Sequence, residues 1–143
     1  MDFDCGPVMN PSQHKRVQRY IDQARAAGIP VLAEGTIASG VSPTGHWVTP
    51  TFFGPVPRDA QLACEEVFGP VLAAFPFQDE ADGIALANGT AYGLSSGVCT
   101  DRLDYITRFV SERASPSSRA PVSGLMGPCP ATKMKSPSIT ACE

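Results

Sequence analysis

No apolar run approaches the roughly 20 residues that a membrane-spanning helix needs, because Gly or Pro interrupts every such stretch at strand length. The N-terminus, Met1-Asp2-Phe3-Asp4, is acidic and has neither the basic start nor the apolar middle of an export signal. A cytoplasmic protein without membrane partners is therefore expected. Basic clustering is also missing. Residues 1–113 carry 8 basic and 13 acidic side chains, a balance of −5, and residues 114–143 carry 3 and 1, a balance of +2. Neither stretch builds the positive surface that nucleic acid requires. The five cysteines, at 5, 64, 99, 129 and 142, form no C-x-x-C pair and no metal-ligand spacing. They read as free thiols in a reducing compartment, with no metal site. No Gly-x-Gly-x-x-Gly or similar glycine-rich turn links a strand to a helix, so no phosphate cradle for a dinucleotide is legible. The 143 residues are enough for one modest core, which means one domain or part of one.

What is present alternates between helix and strand. Asn10-Pro11 is a helix start, since the Asn side chain accepts an orphan N–H and Pro loses nothing at the first helical position. Val17, Tyr20, Ile21 and Ala24 then form one apolar stripe, and Gly28 supplies the stop. Residues 29–33 read as a short strand and residues 35–45 as a Gly/Ser/Pro loop. Residues 46–53 are β-branched and aromatic around Pro50, which predicts an edge strand or a broken one. Asp59 is a candidate cap for a brief helical turn. Residues 70–77 are nearly continuously apolar, as a strand buried on both faces would be. Asp79 caps a helix with Ile84, Leu86 and Ala87 facing inward, ended by Asn88-Gly89. Residues 93–100 form a further strand, and Asp101 caps a helix with Leu103, Ile106, Thr107 and Val110 on its inner face. The fold class is α/β.

The densest signal is Glu65-Glu66-Val67-Phe68-Gly69-Pro70-Val71-Leu72, two carboxylates, an aromatic, a Gly-Pro turn and a strand within eight positions. For an arbitrary chain the pair Glu65-Glu66 would be read as solvated and Phe68 as core.

The octet resembles the Glu-Glu-x-Phe-Gly-Pro-Val run of the NAD(P)-dependent aldehyde dehydrogenases. Its neighbours are similar to the same family in the same order: Gly6-Pro7-Val8 and the helix after it, Gly45-His46-Trp47-Val48-Thr49-Pro50-Thr51, then Ala85-Leu86-Ala87-Asn88 with Tyr92-Gly93-Leu94 and Gly97-Val98. The resemblance runs from residue 5 to about 112. It implies part of the catalytic half of such an enzyme, which oxidises an aldehyde to an acid with NAD or NADP as hydride acceptor and assembles as a homo-oligomer. It implies for Glu66 the ribose hydroxyls beside the nicotinamide, and for Phe68 a wall against the nicotinamide riboside. Both are cofactor-binding roles. An acylating relative, with coenzyme A in place of water, and a non-catalytic fragment pairing with full-length subunits carry the same residues.

Part of the family's pattern is missing from the chain. The family's nucleophilic cysteine lies in a Gly-Gln-x-Cys run ahead of the segment that Gly6-Pro7 resembles, and no cysteine here stands in such a run. Cys64 adjoins the octet, but Glu65 and Glu66 are negative neighbours that disfavour a thiolate. No residue of the chain is expected to be catalytic. His14 and His46 have no suggestive partner in the sequence and read as surface positions. After residue 113 the character changes: residues 114–143 hold six Ser, five Pro and two Gly without apolar period. A disordered tail is expected, and the loss of resemblance at the same point fits a shifted reading frame.

Overall fold

The computed structural model describes residues 5–92, 96–112 and 122–125. They fall into two compact units divided between Pro76 and Phe77.

The first unit is built on helix α1, Pro11–Ala26. Both ends follow from local chemistry. Asn10 Oδ1 accepts the Gln13 N–H at 2.8 Å at the N-terminus. At the other end Gly28, at φ +73°, donates to the Arg25 carbonyl, and Ile29 donates to the Ala24 carbonyl at 3.0 Å. This paired closure lets Ile29 fold back into the core. The strand expected at 29–33 therefore begins late, as β1, Val31–Glu34. Arg25 ties β1 to the helix through Glu34.

β1 runs antiparallel to β2, Thr51–Phe53, and β2 runs parallel to β3, Val71–Ala73, with Thr51 opposite Val71 and Phe53 opposite Ala73. β2 is thus the middle strand and not an edge. Pro50 precedes it, where the missing N–H costs the ladder nothing. One sheet face, carrying Phe53 and Thr51, covers the α1 stripe Val17, Tyr20, Ile21 and Ala24.

The short helix α2, Gln61–Cys64, follows Ala60, and Asp59 makes no cap to it. β3 is shorter and barer than the sequence predicts, with Leu72 59% exposed. Its apolar run from 70 to 77 has one strand partner among the described residues, and burial on a second face needs a layer that periodicity cannot supply.

In the second unit, α3 (Glu80–Ala87) is capped by Asp79, whose Oδ1 accepts the Asp82 N–H at 2.9 Å, and it ends at Asn88 as expected. β4 (Ser96–Cys99) and α4 (Leu103–Glu112) follow. Ile84, Val98 and Phe109 form the core here, with Ile106 and Ala87 against it. The inner face of α4 is therefore Ile106 and Phe109, while Leu103, Thr107 and Val110 are exposed. Leu103 and Val110 flank that stripe, and a two-helix layer is too thin to cover them. The expected strand at 93–100 is described only from Ser96 onward. Of the segment expected to be disordered, Val122–Leu125 is described. These four residues form β5, parallel to β4 with Ser96 opposite Val122. A parallel strand edge accepts any short extended segment through backbone bonds alone. The remainder of 113–143 lies outside the described residues. No helix among the described residues is long and apolar enough to cross a membrane.

Candidate functional site

Residues 65–70 link α2 to β3 and lie along one side of α1. Gln13, Arg16, Val17 and Tyr20 stand at helical spacing on that side, and each touches the linker. The first contacts distinguish the two carboxylates. The Tyr20 hydroxyl donates to one oxygen of Glu65, and Gln61 Nε2 donates to the other at 2.9 Å. These two bonds, the tyrosine first, hold the Glu65 carboxyl below the usual glutamate range. Glu66 differs. It is half-buried, and its carboxylate makes no hydrogen bond or ion pair among the described residues. Adjacent and chemically identical, one side chain is committed to the fold and the other is free.

A pH-dependent result follows from Tyr20 and Glu65. A depressed folded-state pKa gives stability that is fully present above the unfolded value and lost as pH falls through the folded one. The stability gap between the parent chain and Tyr20→Phe, read from urea titrations, is expected to be constant near neutrality and to close in acid. A gap that persists once glutamate is protonated would show that the hydroxyl's contribution does not depend on the Glu65 charge.

The next contacts fix the backbone. Arg16 donates to the Glu66 carbonyl at 2.8 Å. Gln13 Nε2 donates to the Val67 carbonyl at 3.2 Å and the Phe68 carbonyl at 2.6 Å. Phe68 sits at φ 55°, in the left-handed region that costs a residue with a Cβ about 1–3 kcal/mol. Its side chain is 69% exposed, so it is no part of the core. Gly69 has no such φ, but a Cβ there would lie 2.6 Å from Val17 Cγ2. Glycine is needed at 69 for closeness to α1.

His14 and His46 are not the isolated surface positions that the sequence suggests. Their rings stand 6.3 Å apart, and His14 Nε2 is 2.9 Å from the Trp47 carbonyl. His14 and Trp47 are 33 positions apart along the chain, beyond the reach of spacing arguments. No group of three or more His, Cys, Asp or Glu able to hold a metal occurs among the described residues. Cys64 is exposed and directs its thiol to the Arg58 carbonyl at 3.6 Å; Cys5 is exposed and Cys99 half-buried. Cys129 and Cys142 lie outside the described residues. An open hollow lined by His14, Lys15, Gln18, Arg19 and Asp22 follows the opposite side of α1 and includes neither Glu66 nor Phe68.

The profile of the aldehyde dehydrogenase family matches residues 1–115, which include the whole linker and all its contacts on α1. The chain belongs to the aldehyde dehydrogenase family. It is 41% identical over 112 residues to the alpha-ketoglutarate semialdehyde dehydrogenase of Haloferax volcanii, covering 78% of this chain and 23% of that one. A solved aldehyde dehydrogenase from Burkholderia cenocepacia matches with a TM-score of 0.76 at 40% identity, over 80% of this chain and 24% of the other. The Mycobacterium tuberculosis aldehyde dehydrogenase complexed with NAD+ matches with a TM-score of 0.71 at 32% identity, over 83% and 23%. The chain thus spans just under a quarter of the length of the aldehyde dehydrogenases it matches. The profile ends two residues past the change in composition at 113.

Proposed function

We propose that this chain carries the nicotinamide-ribose edge of an NAD(P)-dependent aldehyde dehydrogenase. Glu66 accepts the two ribose hydroxyls, and Phe68 limits where the nicotinamide riboside sits. The observation that carries this reading is the difference between the two carboxylates: Tyr20 and Gln61 occupy Glu65, and Glu66 keeps both oxygens for a ligand. An aromatic side chain held outward at the cost of backbone strain supports it further.

The residues fit the group on chemical grounds. A half-buried carboxylate without a protein partner offers the acceptor pair that a diol needs, and an exposed ring offers an apolar face. When bound, the cofactor accepts a hydride from the substrate carbon. Glu66 orients the ribose and Phe68 restricts the ring, and neither moves a proton or forms a bond to the aldehyde. The cysteine nucleophile of the reaction has no counterpart in context among these 143 residues, so the chain supplies positioning and no catalytic residue. The aldehyde substrate, the homo-oligomeric assembly and the cytoplasmic location belong to the same proposal for the enzyme as a whole.

Titration of nicotinamide mononucleotide into the 15N-labelled chain is expected to shift the resonances of Glu66, Phe68 and Gly69. Glu66→Gln, which removes charge and one acceptor, is expected to weaken binding about ten- to a hundredfold, since hydrogen bonds to a charged group are worth about 1.5–3 kcal/mol. Shifts confined to other residues, or an unchanged affinity in Glu66→Gln, would refute the assignment.

A further inference from the structure

We propose that Gln13 is a positioning residue for the nicotinamide-facing side chains, acting by holding the Phe68 backbone in its left-handed conformation. This inference rests on the reading that Glu66 and Phe68 face the riboside.

An L-residue at positive φ returns to negative φ unless its surroundings prevent it. For Phe68 the side chain is not what prevents it, being 69% exposed. The restraint lies in the main chain. Gln13 Nε2 carries two N–H donors, and both are used, one on the Val67 carbonyl at 3.2 Å and one on the Phe68 carbonyl at 2.6 Å. These carbonyls border the Phe68 φ and ψ, so holding both defines the conformation between them. The donor is itself anchored. Gln13 is the third residue of α1, and its backbone N–H is taken by Asn10 Oδ1 at 2.8 Å. Arg16, one turn on, holds the Glu66 carbonyl at 2.8 Å, and Val17 closes against Gly69. Three successive carbonyls, 66 to 68, are thus turned toward α1. If Phe68 reverted, its ring would swing away from its present direction, and Glu66 would lose the fixed backbone from which its carboxylate projects.

The test uses Gln13→Glu in the full 143-residue chain. Glutamate matches the length of glutamine and suits the third position of a helix, so α1 is kept, but an ionised carboxylate donates nothing. The first readout is the intraresidue HN–Hα NOE of Phe68, which is strong at positive φ and weak otherwise. It is expected to be strong in the parent chain and to weaken in Gln13→Glu while the Val17 and Tyr20 signals stay in place. A strong NOE retained in Gln13→Glu overturns the proposal. The second readout is nicotinamide mononucleotide affinity, expected to fall about tenfold in Gln13→Glu; equal affinity in the two chains overturns the positioning role. Absence of binding by the parent chain refutes the pocket reading instead, and the NOE then decides the clamp alone. Should Gln13→Glu unfold the chain, Phe68→Gly answers the same question, because glycine adopts positive φ without restraint. The drop in urea midpoint caused by Gln13→Ala is expected to shrink in the Phe68→Gly background, and an equal drop in both backgrounds overturns the clamp.

Discussion

Phe53→Ala is expected to leave residues 5–76 without a cooperative unfolding transition. Phe53 is fully buried on the middle strand, with Val31 opposite on one side and Ala73 on the other. It belongs to the apolar cluster that holds the α1 stripe against the sheet. Truncating a buried phenylalanine costs about 3–5 kcal/mol, the transfer loss plus the cavity left behind. A whole domain is stable by only about 5–15 kcal/mol, and the barely covered β3 puts this unit toward the low end. Tryptophan fluorescence of Trp47 and far-UV circular dichroism through a urea titration provide the check. A sigmoidal transition with the parent's midpoint would show that the cluster repacks around the gap.

Gly69→Ala is expected to lower stability by about 1–3 kcal/mol, the usual cost of forcing an extra carbon into a packed site. The added Cβ would meet Val17 Cγ2 at 2.6 Å and Cγ1 at 2.8 Å. Neither atom has room to move. Val17 is fully buried, and a β-branched side chain in a helix is largely confined to one rotamer. The linker must therefore lift from α1, which lengthens the bonds from Gln13 and Arg16. Urea midpoints measure the cost. In Val17→Ala the methyl groups are gone, so Gly69→Ala is expected to be tolerated there; an undiminished penalty would place its cause in the backbone.

The chain's legibility divides by range. The whole of α1 is readable because its start, its stripe and its stop are set by residues within a few positions of one another, and α3 is readable from Asp79 and Asn88 for the same reason. The octet is readable as family resemblance, and the proposal for Glu66 and Phe68 starts from it. What escapes depends on distant partners. Leu72 is exposed because of what does not cover β3, and no run of apolar letters conveys that. Gln13 and Arg16 look like ordinary polar positions on a helix, although they reach carbonyls 50 to 55 residues away. Tyr20 reads as core, which it is, but its hydroxyl also separates Glu65 from Glu66. In Phe68-Gly69 glycine is the residue that adopts a left-handed conformation without cost. The structure gives it to the phenylalanine, because Val17 needs the glycine for closeness.

β1 has a single strand neighbour among the described residues, and all four of its residues face water. Its outer margin therefore presents a row of amide and carbonyl groups to any extended polypeptide that comes near. Pro30 ahead of it and the charge of Glu34 at its far end confine that row to the length of Val31, Leu32 and Ala33. That short row is bounded at one end by a residue without an N–H and at the other by a carboxylate tied back to Arg25 of α1.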